Sequence, residues 1–228
     1  MPEMRAAGYR LEIREEEPGL TGIGIDPAFS IGQRALLMQT PDGNILYDCV
    51  SYLDAAAVDA IDGVQGICFS HPHFYDSMVT WSRAFDDAPV YVPSVDREFV
   101  MRPEGAIRFW DGDPLELLPG VTLVRCGGHF PGRAVLHWAA GAEGRGALLV
   151  GDTISVMLDR RFVRFMGSYP NYIPLSAGQV QRIVDAVEPY DFDRIYGGWW
   201  GRNILSDAKA AVRRSADRYI RHITGEDD

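Results

Sequence analysis

The sequence predicts a mixed α/β (α+β) chain, and three observations predict it. Short apolar runs bounded by turn residues recur along the chain, as buried strands do. Two turns, Pro41-Asp42-Gly43-Asn44 and Pro119-Gly120, join pairs of such runs into hairpins. Longer segments, Ser176 to Val187 and Ser206 to about Ile223, carry their apolar residues at helical spacing.

The 228 residues suit one large domain, and no repeat, low-complexity tract or linker divides them, so a single domain over 1–228 is expected. With 46% hydrophobic and 11% aromatic residues, a sizeable core is affordable. The net charge of -10 argues against a nucleic-acid partner or an anionic membrane surface. A small-molecule substrate is therefore expected, and a homodimer is compatible with the composition. Cys49, Cys68 and Cys126 are odd in number, widely spaced and set in or beside apolar runs. They read as small buried hydrophobes in a reducing cytoplasm. No apolar run reaches the ~18 residues of a spanning helix, and the N-terminus lacks the apolar core of a signal peptide. A cytoplasmic location follows as the expectation.

In chain order, Tyr9, Leu11 and Ile13 alternate with charged residues, the pattern of an edge strand. Glu15-Glu16-Glu17-Pro18-Gly19 reads as an exposed turn, and the glycines and Pro27 of 21–32 read as a loop. Ala35–Gln39 and Ile45–Tyr47 form the first hairpin, closed by Asp48. Leu53 to Ile61 reads as a short helix with Ser51 as N-cap. The apolar run Val64 to Phe69 is a strand. A helix capped by Asp76 or Ser77 continues to about Phe85, followed by a strand at Pro89–Val92 and a helix from Ser94 to about Met101. Leu115–Leu118 and Val121–Cys126 make the second hairpin. Val135–Ala139 and Ala147–Val150 are further strands. Residues 158–174 are irregular and aromatic. They read either as a surface loop over a site or as a packed connection with solvated arginines. Phe192–Tyr196 is the last strand.

The chemistry concentrates at strand ends. His71 and His73 follow the run Val64–Phe69. In extended backbone, residues i and i+2 point to one side, so both imidazoles can hold one ion. His129 follows the double glycine Gly127-Gly128, where the backbone can turn sharply and approach an ion. Asp152 follows Leu148-Leu149-Val150-Gly151. A carboxylate there either binds a cation or caps the following turn. His137, inside a strand, reads as a core or sheet-face histidine, and His222, on the terminal helix, as solvated. Three imidazoles and a carboxylate make a sound ligand set for one divalent metal with open positions, zinc first and iron second.

These motifs, His71-x-His73, Gly128-His129-x-x-Gly132 and Leu149-Val150-Gly151-Asp152-Thr153, together with the early hairpin ending Leu46-Tyr47-Asp48, resemble the metallo-β-lactamase superfamily, glyoxalase II-like hydrolases among them. The resemblance spans nearly the whole chain. It implies a four-layer αββα sandwich with metals at one edge, His71, His73 and His129 as ligands of a first ion, and Asp152 as the bridging carboxylate. The departures are as specific. The family's usual first motif is His-x-His-x-Asp-His, and its last two places hold Tyr75 and Asp76 here. The late Gly-rich turn carries Trp199 and no histidine. One ion is therefore expected, not two.

The resulting expectation is a mononuclear metal-dependent hydrolase of a small ester, thioester or lactone. Asp152 would orient the attacking water. Asp76 would act as general base or water-positioning group, or simply cap a helix. Tyr75 would donate to a developing oxyanion, where one preorganised donor is worth ~3 kcal/mol, or pack over the ion. Trp81, Trp199, Trp200, Tyr169 and Tyr172 are candidate pocket-lining aromatics. Two alternatives stand beside this reading. One is an iron oxygenase resembling the persulfide dioxygenases, with His71, His129 and Asp152 as its triad. The other is an inactive metal-binding or sensor protein.

Overall fold

The computed structural model describes residues 2–226. The chain forms two compact units. One runs to Asp111 and takes in Gly198–Trp200; the other comprises Gly112–Gly197 and the chain from Gly201 onward.

The first unit is built on a seven-stranded sheet in sequence order: β1 (Arg10–Glu17), β2 (Leu20–Asp26), β3 (Ala35–Thr40), β4 (Gly43–Tyr47), β5 (Gly66–Cys68), β6 (Val90–Pro93) and β7 (Ile107–Trp110). β1 to β4 are antiparallel, and β4 to β7 are parallel. The change of sense has a covalent cause. Parallel neighbours need a crossover, and helices Ala55–Ala60 and Met78–Ala84 supply the crossovers after β4 and β5. Parallel pairing also sets the carboxyl ends of β4 and β5 side by side, with Tyr47 opposite Cys68. Ile23, Leu37, Leu46, Ile67, Phe69 and Trp81 are in this unit's core.

Several local expectations change. The three glutamates are strand, not turn: Glu17 is buried, and Glu16 accepts an ion pair from the buried Arg34 at 2.5 Å. The turn is confined to Pro18–Gly19. Residues 20–26 are strand β2, not loop. Gly22 and Gly24 are there because the Trp200 indole lies on them. A Cβ would stand 2.6 Å from the ring at Gly22 and 2.7 Å at Gly24. Arg14 and Arg34 lie over the same ring, 4.4 and 5.1 Å from its centroid. Asp54, not Ser51, caps the first crossover helix, accepting from the Ala57 N–H at 2.8 Å. Ser51 donates instead to Asp76 at 2.8 Å, and the Ser77 hydroxyl to the Val50 carbonyl at 3.0 Å, so neither Asp76 nor Ser77 is a side-chain cap.

The second unit holds a six-stranded sheet. β8 (Pro114–Leu118), β9 (Val121–Arg125), β10 (Ala134–Trp138) and β11 (Ala147–Gly151) run antiparallel in sequence. Two small antiparallel pairs follow, β12 (Ser155–Val156) with β13 (Val163–Arg164) and β14 (Met166–Ser168) with β15 (Ile173–Pro174). β16 (Arg194–Gly197) then lies parallel to β11, and β17 (Asn203–Ile204) closes the edge. The helix Ala177–Val187 begins with a capping box, Ser176 with Gln179. Its buried residues Val180, Ile183, Val184 and Val187 join Val135, Leu148 and Val150 in one core, with Val212 of the last helix, Ala208–Thr224. Residues 158–174 are anchored at Val163 and Phe165, which are buried, while Leu158, Arg160, Arg161, Arg164, Tyr172 and Ile173 are exposed.

Candidate metal centre

In the first unit, the parallel ends of β4 and β5 assemble a hydrogen-bonded chain. Asp48 has left-handed backbone, φ 64°, and is buried. Its Oδ1 accepts the Ser70 N–H at 2.8 Å, and both its oxygens lie 3.0 Å from the Ser70 hydroxyl. Ser70 Oγ is in turn 2.9 Å from His71 Nδ1. The direction of this last bond follows from proton counting. Serine has one hydroxyl proton, and the carboxylate takes it. His71 Nδ1 must then donate, which leaves the lone pair on Nε2. That nitrogen lies 3.0 Å from Nδ1 of His73. Two ring nitrogens therefore converge, one on a buried and one on an exposed histidine. The pair can hold a divalent ion once His73 carries its proton on the other ring nitrogen, and the carboxylate–hydroxyl–imidazole chain fixes the His71 ring and tautomer as second-layer partners of metal histidines do.

The two neighbours Tyr75 and Asp76 are otherwise engaged. Tyr75 is buried edge-on against Phe69 and hydrogen-bonds Asp96. Burial first, then the Asp96 charge, pushes its hydroxyl far above the ordinary tyrosine range. Asp76 is exposed and holds the Ser51 hydroxyl. Trp199 donates its indole N–H to the Ile31 carbonyl at 2.9 Å, and Trp81 is a fully buried core residue donating to the Val50 carbonyl.

In the second unit, β9 ends in the loop 126–133 and β10 leaves it. The loop is closed on itself: the Arg133 carbonyl accepts from the N–H groups of Cys126 at 2.7 Å and Gly127 at 3.1 Å. Antiparallel pairing of β10 with β11 puts the start of one beside the end of the other. Arg133 therefore meets Asp152. Its Nη2 donates to Asp152 Oδ1 at 2.5 Å, and its Nη1 donates to His129 Nδ1 at 2.5 Å. Arginine has no acceptor, so His129 Nδ1 accepts, and the neutral ring carries its proton on Nε2. The Tyr169 hydroxyl donates to the Asp152 carbonyl at 2.9 Å, and burial raises the Tyr169 hydroxyl above its ordinary range. Burial pushes the Cys126 thiol up to about 12, so it is a packed hydrophobe and not a ligand. All three cysteines are buried and free.

The structure thus joins His71 to His73, and His129 to Asp152. It adds three residues that have no site role in the sequence reading: Asp48, Ser70 and Arg133. Asp48 read as the close of a hairpin arm. Ser70 stood inside the histidine stretch without distinction. Arg133 follows a glycine in a loop and nothing in its spacing singles it out, yet it is wholly buried.

No family model matches the chain. Solved structures do match its fold. DIM-1 metallo-β-lactamase superposes with a TM-score of 0.68 at 15% identity, covering 92% of this chain and 98% of that one. The Flv1 flavodiiron core of Synechocystis sp. PCC6803 gives 0.67 at 11%, covering 93% and 61%. The chain is a protein of metallo-β-lactamase fold. It is also 45% identical over 230 residues to the uncharacterized protein YmaE of Bacillus subtilis (strain 168), covering 99% of this chain and 83% of that one. It belongs to the YmaE family.

Proposed function

We propose that the chain is a mononuclear metal-dependent hydrolase of a small ester, thioester or lactone, with zinc as its ion. The observation that carries this reading is the convergence of His71 Nε2 and His73 Nδ1 at 3.0 Å, with the His71 tautomer fixed from behind by Ser70 and Asp48. His129 would complete the ligand set with its single proton moved to Nδ1 and Arg133 turned aside from that nitrogen, so that Nε2 offers a lone pair, and Asp152 would stand beside it. A bound divalent ion would acidify a water towards a pKa of ~7 and polarise a carbonyl.

The chain's own residues divide the remaining work. Asp48 and Ser70 keep the His71 lone pair aimed outward. Asp152, fixed through Oδ1 by Arg133, would orient the attacking water. Asp76, exposed, keeps a secondary water-positioning role. Tyr75 would have to release Asp96 before it could donate to an oxyanion. The solved metallo-β-lactamases of the same fold support the hydrolytic reading at the level of fold.

A second reading, iron-dependent oxygen chemistry, is favoured by one observation, the likeness to a flavodiiron core. One experiment separates the two. The purified protein is analysed for metal, then assayed with ester, thioester and lactone panels before and after chelation and zinc return, and for oxygen uptake with glutathione persulfide. The hydrolase reading expects one zinc per chain and hydrolysis that chelation abolishes. Hydrolysis unchanged in His71→Ala, or no retained metal, would sink it. Iron with oxygen uptake would establish the second reading.

A further inference from the structure

We infer that the second unit carries a binding site for a small carboxylate with an apolar tail, between the β12–β13 hairpin and the last helix. A cavity of about 480 Å³ opens there, within the ~300–1,000 Å³ of small-molecule sites. Its lining residues belong to this unit and not to the candidate metal centre. On the helix Ala208–Thr224, Ser215, Arg218, Tyr219 and His222 recur at i, i+3, i+4 and i+7, so one helix face supplies all four. On the hairpin, Leu158 and Phe162 supply apolar surface. The two walls are tied to each other. The Val163 N–H donates to the Ser215 hydroxyl at 3.0 Å, and Arg214 Nη2 donates to the Arg161 carbonyl at 2.9 Å.

The charges at the cavity select the ligand. Arg164 and Arg218 line it, their guanidinium carbons 5.0 and 5.1 Å from the ring centroids of Tyr169 and Phe162. A guanidinium resting on a ring face keeps N–H groups at its edge for an anion. Among the described residues, neither arginine is in an ion pair, whereas the neighbouring Arg161 and Arg214 face Asp159 and Asp207. Asp159, the acidic residue of the lining, is turned to the backbone: its Oδ1 accepts from the N–H groups of Arg161 at 3.0 Å and Phe162 at 3.3 Å. On a chain of net charge -10, two such arginines at a mostly apolar cavity suit an anion whose remainder is apolar. The Asp159 charge disfavours a dianion such as a phosphate monoester, which leaves a carboxylate. Leu158, 80% exposed, is the surface its tail would cover.

The test is equilibrium dialysis of the full chain with octanoate, hexanoate and 1-octanol, in excess EDTA so that no metal contributes. Octanoate is expected to bind saturably, about tenfold tighter than 1-octanol. It should also bind about fifteenfold tighter than hexanoate, at about fourfold for each buried methylene. Arg164→Gln with Arg218→Gln should erase the preference for octanoate over 1-octanol. Arg182→Gln, at an exposed arginine outside the lining, should leave it intact. Octanoate that fails to bind saturably, or that binds the double variant as tightly as the wild type, overturns the inference. Should the double variant fail to fold, equal binding of octanoate and 1-octanol by the wild type overturns it too. Association with anionic lipid vesicles without binding of free octanoate overturns it in favour of a surface contact. The hydrolase reading stands or falls separately, because the dialysis needs neither metal nor turnover.

Discussion

The hydroxyl of Ser70 lies 3.0 Å from each carboxylate oxygen of Asp48. That pairing decides which nitrogen of the next residue, His71, carries its proton. Ser70→Ala should therefore weaken metal affinity by about 10–100-fold without removing any ligand. Titration of the apo protein with Zn²⁺ measures this directly. An unchanged affinity would mean that the tautomer is set by something else.

His71 is buried and His73 is exposed. Both substitutions to alanine should remove the ion, but their costs to the fold should differ. His73→Ala should stay within about 0.5 kcal/mol of the wild type in urea unfolding of the apo protein. His71→Ala removes a buried partner of Ser70 and should cost about 1–3 kcal/mol.

His137 is on β10, and its Nε2–H donates to the Asp191 carbonyl at 2.8 Å. Burial lowers its pKa below the ordinary histidine value of 6.5. Between the lowered folded pKa and 6.5, the unfolded chain binds the proton and the folded chain does not, so stability rises with pH there. The contribution is complete above 6.5 and is lost as pH falls through that window. Melting temperature against pH should show the decline, and His137→Gln should flatten it.

Trp200 packs on Gly22 and Gly24. Gly24→Ala forces a methyl group into the indole and should cost about 1–3 kcal/mol. In a Trp200→Leu background the same change should cost much less. Equal costs in both backgrounds would show that the glycine is required for its backbone alone.

Strands bounded by turn residues were legible because period and punctuation are local. The hairpin Ala35–Tyr47 and the strand ahead of His71 are cases in point. β2 was not legible, since a glycine that admits an indole from far along the chain looks the same as a glycine in a loop. Strand β7, Ile107–Trp110, also escaped, because it is short and carries Arg108 in its middle. The histidines and Asp152 could be picked out from their places at strand ends. Asp48 and Arg133 could not. Their roles come from strand adjacency, parallel for β4 with β5 and antiparallel for β10 with β11, which one-dimensional spacing does not encode.

The Trp199 indole N–H reaches the Ile31 carbonyl across 168 positions, and the Arg34 N–H reaches the Gly198 carbonyl at 2.8 Å. Such long closures are slow, because loop entropy must be overcome before the contact repays it. A ribosome that has made the first hundred residues has therefore not yet made the piece that lies over β2. The N-terminal sheet waits, with two bare glycines and the Arg14 and Arg34 side chains uncovered, until Trp200 emerges.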